Sequence, residues 1–290
     1  MDTNEALNSL GVSDVNLQRE QRQQLDHLGY FIAKDALSAD ATATMAEAFE
    51  RLYTAEVSGG DEVHVEPGAR RISDIFNKTS EFDLCLTIKP VLAAAKYLLG
   101  EFKLHGANLR DPTTGGGHQQ LHSDVPKKSL DDWWVLNAII LLDDVTSNSG
   151  ATRVIPGSHL WCPLNVPVVN IGDWTPGELS EEDKARVPND LDAPYPGEIL
   201  ATAPAGSAII INSSLWHGGT LKNNDKPRRV LHLSYTRRDL PQQLPQLDYL
   251  TPELFNRMSP ELRYLMEIEP LKNGDDVLRQ PDCASEGWWN

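Results

Sequence analysis

Residues 207–220 read SAIIINSSLWHGGT, and they begin with a strong signal for a buried strand, Ser207–Asn212. A continuous apolar run of this length, ended by Asn and Ser, is typical of a strand inside a sheet. Other short β-type runs surround it, each bounded by Gly, Pro, Asn or Asp: Phe102–Leu109, Trp133–Leu142, Ala151–Ile155, Glu198–Ala203 and Arg229–Thr236. Because no helical pattern separates them, they predict an all-β sandwich or jelly roll rather than a parallel α/β sheet.

The first hundred residues have a different, mainly helical pattern. Helices are predicted over residues 14–28, 38–53 and 80–99, the last with a break at Pro90, and Gly29 ends the first. A short strand is predicted over Tyr30–Ala33. We therefore expect one domain over residues 1–290, with helical support over about 1–100 and a jelly-roll core over about 101–240. An acidic, Pro-containing insertion over 161–196 is predicted to act as a lid, and 241–290 form a C-terminal segment.

The charge balance excludes several classes of partner. The chain of 290 residues has 26 Lys and Arg against 42 Asp and Glu, a net charge of −16. This excess argues against nucleic acid and anionic membranes as partners, and against a substrate with several phosphates unless a local basic patch is present. No apolar run is long enough to span a membrane, and no signal peptide is recognisable. Three cysteines without CxxC spacing fit a reducing cytoplasm. The oligomeric state is left open.

A histidine and an aspartate two positions apart form the first candidate metal site. Residues 115–124 read GGGHQQLHSD, and on a strand His122 and Asp124 would point to the same side. Such a pair is weak evidence alone, but His217 follows the buried strand and could supply a third ligand. Two histidines and one carboxylate form the facial triad that holds Fe(II) and leaves positions open for substrates. Zinc also accepts these ligands.

An arginine eleven residues after His217 indicates that a carboxylate-bearing molecule binds beside the metal. Arg228 lies at the start of the next predicted strand, where its guanidinium could bind a carboxylate in bidentate fashion. 2-Oxoglutarate fits this arrangement, because it is a diacid that can chelate iron at one end and pair with the arginine at the other. The period of two puts Arg228, His232 and Ser234 on one face, with Leu231 and Leu233 packed beneath the helices.

Four ordered motifs resemble the phytanoyl-CoA dioxygenase (PhyH) family of Fe(II)/2-oxoglutarate oxygenases. They are LGYFI at 28–32, the HxD pair, GATRVIPGSH at 150–159, and His217 followed by Arg228. The resemblance covers about residues 18–237 and implies a double-stranded β-helix, the cupin-like jelly roll, with flanking helices. It implies that His122, Asp124 and His217 bind iron and that Arg228 binds the 2-oxoglutarate carboxylate. It also places co-substrate contacts at Gln119 and Thr152.

The resemblance implies a dioxygenase that uses Fe(II), 2-oxoglutarate and O2 and releases succinate and CO2. Hydroxylation of an aliphatic C–H bond of a small molecule, in natural-product biosynthesis, is the expected reaction. Related halogenases have a small residue in place of the carboxylate, so Asp124 argues against halogenation. Phytanoyl-CoA itself is not the expected substrate, because no polybasic segment that could bind its phosphates is visible.

Two alternatives use the same residues. A non-catalytic jelly-roll binding protein would need a ligand or Arg228 to be missing, and all four are present. A zinc-dependent hydrolase would leave Arg228 unexplained. Among other polar residues, His118 and His159 are interpreted as structural, and a structural role is also favoured for His232. Asn137 is either a contact to co-substrate or substrate or a residue satisfied by backbone.

Overall fold

The computed structural model describes residues 1–59, 66–125, 129, 131–161 and 180–268. Within these ranges the α-helices are α1 (Thr3–Ser9), α2 (Arg19–Leu28), α3 (Ala39–Gly59), α4 (Ile75–Lys78), α5 (Lys89–Leu99), α6 (Glu181–Arg186), α7 (Pro252–Arg257) and α8 (Pro260–Met266). The strands are β1 (Tyr30–Ala33), β2 (Ala69–Ser73), β3 (Phe102–Pro112), β4 (Val135–Leu141), β5 (Thr152–Val154), β6 (Ile199–Ala201), β7 (Ala208–Asn212), β8 (His217–Gly219) and β9 (Val230–Arg237). None of the described helices is long and apolar enough to cross a membrane.

Two antiparallel sheets form the core. The larger sheet has six strands in the order β1-β7-β4-β9-β3-β2, and the smaller has the order β6-β5-β8. The segment before Asp124 extends the smaller sheet: the backbones of His122 and His217 exchange two hydrogen bonds of 2.8 Å. Between β4 and β9 the chain passes four times from one antiparallel sheet to the other, and the two sheets face each other. This is the predicted cupin-like jelly roll, and the fold class is confirmed.

The two faces of the larger sheet bury different partners. Side chains alternate along each strand, so that Leu231, Leu233 and Tyr235 of β9 pack in the cluster beneath the helices. Ile139 of β4 and Ile209 of β7 face the smaller sheet instead. The alternation predicted for β9 is therefore confirmed, and His232 and Ser234 lie on the inner face, where both line the central cavity.

A β-bulge in β3 changes which of its residues face inward. Leu104 pairs with Tyr235, but Gly106 already pairs with Ser234, so His105 is the extra residue. After the bulge the apolar side chains Ala107 and Leu109 pack beneath the helices. Asn108 and Arg110 consequently line the cavity. Without the bulge, a strict period of two from Leu104 would turn them toward the helices.

Several predicted boundaries change in the structure. The expected helix over 14–28 is a short 3-10 turn, Asp14–Asn16, followed by α2. Pro90 does not break a helix: it occupies the first turn of α5, where a missing N–H costs nothing. His122 and Asp124 lie outside the regular strands, joined to β8 through a single bridge. β2 and β8 were not predicted.

The insertion over 161–196 is only partly described. Residues 162–179 lie outside the described residues, and 180–196 include α6, a helix that the sequence analysis did not predict. Val187, Leu191 and Tyr195 pack with Trp161 against the buried ring of Trp216. Its action as a lid, and the single domain over 1–290, stay predictions. Cys85 is a buried free thiol, while Cys162 and Cys283 lie outside the described residues.

Gly29 fits its position for a steric reason. It ends α2 with φ +82°, a conformation that side chains with a Cβ rarely adopt. A Cβ here would lie 2.6 Å from Nδ1 of His159 and 2.8 Å from Cδ1 of Leu215. Gly29 therefore lets α2 pack against the loop that precedes His217. His159 Nε2 lies 3.2 Å from the Asp26 carbonyl oxygen, in keeping with its structural interpretation.

Candidate metal centre

Backbone pairing brings the three predicted ligands together. Besides the two hydrogen bonds between His122 and His217, the Asp124 N–H donates to the Ser213 carbonyl oxygen at 3.0 Å. Directly opposed residues of an antiparallel pair carry their side chains on the same face. The imidazole ring centroids of His122 and His217 are accordingly 4.5 Å apart. The ligands converge although about 90 residues separate them in sequence.

The donor atoms have the spacing of a facial triad. Oδ1 of Asp124 lies 3.6 Å from Nε2 of His122 and 3.5 Å from Nε2 of His217. All three candidate ligand atoms lie within 4.8 Å of one another. Metal–ligand bonds of about 2.1 Å that meet at right angles put neighbouring donor atoms about 3 Å apart. The two distances from Asp124 exceed this spacing by about half an ångström, so small side-chain movements would bring the carboxylate and each imidazole to one ion.

Hydrogen bonds on the outer side fix the orientation of each ligand. Nδ1 of His122 lies 2.7 Å from the Gln120 carbonyl oxygen, and Nδ1 of His217 lies 2.8 Å from that of Leu215. Since a carbonyl can only accept, both Nδ1 atoms carry the proton and donate it, which leaves the Nε2 lone pairs for a metal. Asn137 of β4 donates from Nδ2 to Oδ2 of Asp124. These contacts are the outer support that metal ligands require, so the residues fit a divalent ion.

Asn137 makes a contact that neither of its interpretations from sequence included. It lines the cavity, as expected for a contact to a bound molecule, but its amide holds the Asp124 carboxylate. No sequence pattern connects these two residues, because Asn137 reaches Asp124 across the fold.

The charges of the triad stabilise one another. Burial raises the pKa of Asp124, but the His217 and His122 imidazoles outweigh it and hold this pKa well below its usual range. Burial lowers the pKa of His217, and the neighbouring Asp124 charge more than compensates, so the pKa is raised.

A cavity of about 240 Å³ opens beside the triad. Gln119 and Thr152, the predicted co-substrate contacts, line it together with the triad. Its other lining residues are Arg71, His105, Asn108, Arg110, Val125, Val135, Asn137, Ile139, Ile211, His232, Ser234 and Gln243. Arg71 lies on β2, which was not predicted, and neither it nor Gln243 carries a sequence signal that could have identified it.

Gln119 is held in place by β8. Its Oε1 accepts a hydrogen bond of 3.1 Å from the Gly219 N–H, and its own N–H donates to the Gly219 carbonyl oxygen at 2.9 Å. The amide oxygen is therefore engaged, and the side-chain NH2 of Gln119 is available to the cavity. Thr152 pairs with the same glycine from the other side, in the β5–β8 ladder.

Arg228 lies just before β9 and is buried, with 5% of its surface exposed. Its N–H donates to Oδ1 of Asp111 at 3.0 Å, but its side-chain Nε has no hydrogen-bond partner among the described residues. Burial and the nearby Arg110 charge lower the pKa of Arg228 to about 10. Arg228 does not itself line the cavity. Burial, the Arg110 charge and the Arg228 charge, in decreasing order, lower the pKa of the cavity residue His232. Asp111 lies near enough to raise the pKa of Arg228, but no described carboxylate forms an ion pair with the Arg228 guanidinium. A buried guanidinium of this kind is a binding position for an anion.

Comparison with known proteins assigns the family. The profile of the phytanoyl-CoA dioxygenase (PhyH) family matches residues 25–230. The chain belongs to this family. Membership confirms the predicted enzyme class, a dioxygenase with Fe(II), 2-oxoglutarate and O2 as its cofactors.

Individual relatives are distant. Dioxygenase af480 of Aspergillus fumigatus is 31% identical over 188 residues, covering 61% of this chain. The match spans only about half of that relative, 52% of its length. Dioxygenase trt7 of Aspergillus terreus is 25% identical over 233 residues, covering 74% of this chain and 72% of the relative.

Among solved structures, HygX from Streptomyces hygroscopicus with nickel and 2-oxoglutarate bound superposes with a TM-score of 0.59. It is 18% identical, and the superposition covers 79% of this chain and 90% of HygX. At this level of identity the likeness supports the fold.

Proposed function

We propose that this member of the family hydroxylates an aliphatic C–H bond of a small molecule, with release of succinate and CO2. The observation that carries the proposal is the triad itself, in which two Nε2 lone pairs and one carboxylate oxygen face a common point. His122, Asp124 and His217 would hold Fe(II) there. A 2-His-1-carboxylate face leaves positions open for other ligands, as a non-haem iron oxygenase requires.

Arg228 would bind the far carboxylate of 2-oxoglutarate. Its guanidinium is buried, has an unpaired Nε, and acts electrostatically on the cavity residue His232. A bidentate pair with a carboxylate would satisfy the donor that the described residues leave unpaired. Gln119, through its free NH2, and Thr152 would contact the same co-substrate where it lies against β8 and β5.

The bound iron, together with 2-oxoglutarate and O2, supplies the oxidant for the C–H bond. The protein's own residues orient the reactants and exclude water. Asn137 keeps the Asp124 carboxylate turned toward the two imidazoles, and the carbonyls of Gln120 and Leu215 keep both histidines in the ligating tautomer. Val135, Ile139 and Ile211 give the cavity an apolar wall that can hold an aliphatic carbon.

A role in natural-product biosynthesis forms part of the proposal. The HygX structures include one with hygromycin B bound, which is a small-molecule ligand of that protein. The fungal relatives carry dioxygenase names. Together these findings favour a small organic molecule over a macromolecule as the substrate.

Anaerobic Fe(II) titration with 2-oxoglutarate tests the proposal. We expect a weak visible charge-transfer band and, after O2 is admitted, succinate. His122→Ala should lose both bound iron and succinate, whereas His118→Ala, whose ring pairs with Asp192 at 2.8 Å, should keep both. A band without succinate in the presence of any candidate substrate would favour a binding protein. A colourless protein that retains zinc would favour a hydrolase and overturn the proposal.

A further inference from the structure

Two arginines face each other across neighbouring strands at the cavity wall. Arg71 of β2 and Arg110 of β3 are directly paired in the antiparallel register, and both line the cavity. Like charges in directly opposed positions are destabilising, and more so when they are shielded from water. The arrangement stands out in a chain with a net charge of −16.

A single carboxylate serves both arginines within the described residues. Oε2 of Glu66 lies 3.1 Å from Nε of Arg110 and 3.8 Å from a terminal nitrogen of Arg71. The Nε atom of Arg71 is buried and has no hydrogen-bond partner in the described part of the chain. Burial and the Arg110 charge lower the pKa of Arg71 to about 10, so the Glu66 charge does not fully compensate. The pair is left with one excess positive charge.

The proposed co-substrate does not supply the missing negative charge. Fe(II) and Arg228 contribute three positive charges, and Asp124 with dianionic 2-oxoglutarate contributes three negative charges. The iron and co-substrate part of the site is therefore neutral by itself. The positive charge at Arg71 and Arg110 remains for another molecule.

The adjoining asparagine adds a further donor. Oδ1 of Asn108 accepts hydrogen bonds from Arg71 at 3.2 Å and from the Ser73 hydroxyl at 2.9 Å. Its amide oxygen is thereby occupied, and Asn108 presents its NH2 group to the cavity that it lines. Arg71, Arg110 and Asn108 together form a wall with several donors and few free acceptors, which suits an oxyanion.

We propose that the primary substrate carries one anionic oxygen group, a carboxylate or a phosphonate, which binds to Arg71 and Arg110. This inference rests on the proposed function, because it takes the iron and Arg228 as the site of co-substrate binding. The anionic group would hold the substrate at the β2–β3 side of the cavity and direct its aliphatic part along the apolar wall toward the triad. Local charge would thus select the substrate despite the acidic surface.

Propionate and its neutral analogue propionamide are suitable probes. We would measure their dissociation constants by calorimetry with the full chain, with 2-oxoglutarate present at saturation so that Arg228 is occupied. Propionate should bind and propionamide should not. Arg71→Gln and Arg110→Gln should each weaken propionate binding about tenfold or more. Arg51→Gln, which removes an exposed arginine paired with Glu81, is the control and should change nothing.

A variant without Arg228 distinguishes failure of this inference from failure of the proposed function. In Arg228→Met without 2-oxoglutarate, propionate should still bind and should still depend on Arg71. If the wild-type protein with Fe(II) and 2-oxoglutarate shows no visible charge-transfer band, the proposed function is contradicted. Propionate binding can still be interpreted in that case, because it is measured independently of the band. Equal binding of propionate and propionamide, or unchanged propionate binding in Arg71→Gln with a normal band, would overturn the assignment of an anionic substrate.

Discussion

Replacement of Arg228 by methionine should change stability and co-substrate affinity in opposite directions. A pKa lowered to about 10 means that burial and Arg110 disfavour the charged guanidinium by about 3 kcal/mol at neutral pH. For a base whose pKa is lowered on folding, this penalty is complete below about pH 10 and disappears once the pH exceeds the ordinary pKa of a guanidinium. Methionine has a similar length and no charge, so the ligand-free variant should be more stable by about 1–3 kcal/mol.

The same substitution should remove most of the affinity for 2-oxoglutarate. Loss of one partner from a buried charge pair costs about 2–5 kcal/mol, which corresponds to a factor of roughly 30 to several thousand in the dissociation constant. Urea unfolding of the ligand-free protein measures the first effect, and calorimetric titration with 2-oxoglutarate measures the second.

Arg229 provides a matched control one position away. Its guanidinium forms a bidentate pair with Asp143, at 2.7 and 2.8 Å, and is therefore already satisfied. Arg229→Met should destabilise the protein and leave the affinity for 2-oxoglutarate near that of the wild type. Destabilisation of Arg228→Met to the same extent as Arg229→Met, together with normal binding of 2-oxoglutarate, would show that Arg228 does not bind the co-substrate.

Three further predictions concern the triad. Asn137→Ala should lower Fe(II) affinity about 10- to 100-fold in equilibrium dialysis, because Asp124 loses its orienting donor. Fe(II) binding should release protons, because metal and proton compete for Nε2 of His217. The affinity for Fe(II) should therefore fall as the pH falls through the raised pKa of His217. Calorimetric titrations in buffers of different ionisation enthalpy measure the proton release. Gly219→Ala should cost about 1–3 kcal/mol in urea unfolding and also weaken Fe(II) binding, because its Cβ would lie 2.3 Å from the Gly117 carbonyl oxygen.

Control variants for these predictions lie on the surface. Asn148→Ala removes an exposed amide that pairs with Asn224 and should leave Fe(II) affinity unchanged. Gly115→Ala adds a Cβ with nothing within 4 Å and should show only the cost of its positive φ, about 1 kcal/mol. Metal affinity as high in Asn137→Ala as in Asn148→Ala would exclude an orienting role for Asn137. Proton release that is absent at every pH would contradict the assignment of His217 as a ligand.

Local patterns predicted the strands with strong alternation or continuous apolar runs. The isoleucines of β7 and the alternating faces of β9 are examples. A continuous apolar run indicates burial on both faces of a strand, and alternation indicates burial on one face. β2 and β8 have five and three residues, and their polar or glycine-rich sequences carry no such period. They form strands because neighbouring β3 and β5 supply the hydrogen bonds.

The candidate ligands could be predicted for a different reason. Two histidines and an aspartate, followed by an arginine, are uncommon together in this order, so His122, Asp124, His217 and Arg228 could be predicted from residue type and order. The contact of Asn137 with Asp124 and the place of Arg71 at the cavity depend on contacts between distant strands. Such contacts cannot be predicted from the spacing of residues in one sequence. A net charge of −16 also does not indicate that two arginines lie side by side.

Iron content after anaerobic reconstitution shows whether His122, Asp124 and His217 bind the ion. Wild-type protein loaded with Fe(II) and freed of excess metal should retain one iron per chain, and Asp124→Ala should retain none while unfolding as cooperatively as the wild type. Retention of one iron per chain by Asp124→Ala would place the ion elsewhere and contradict the account.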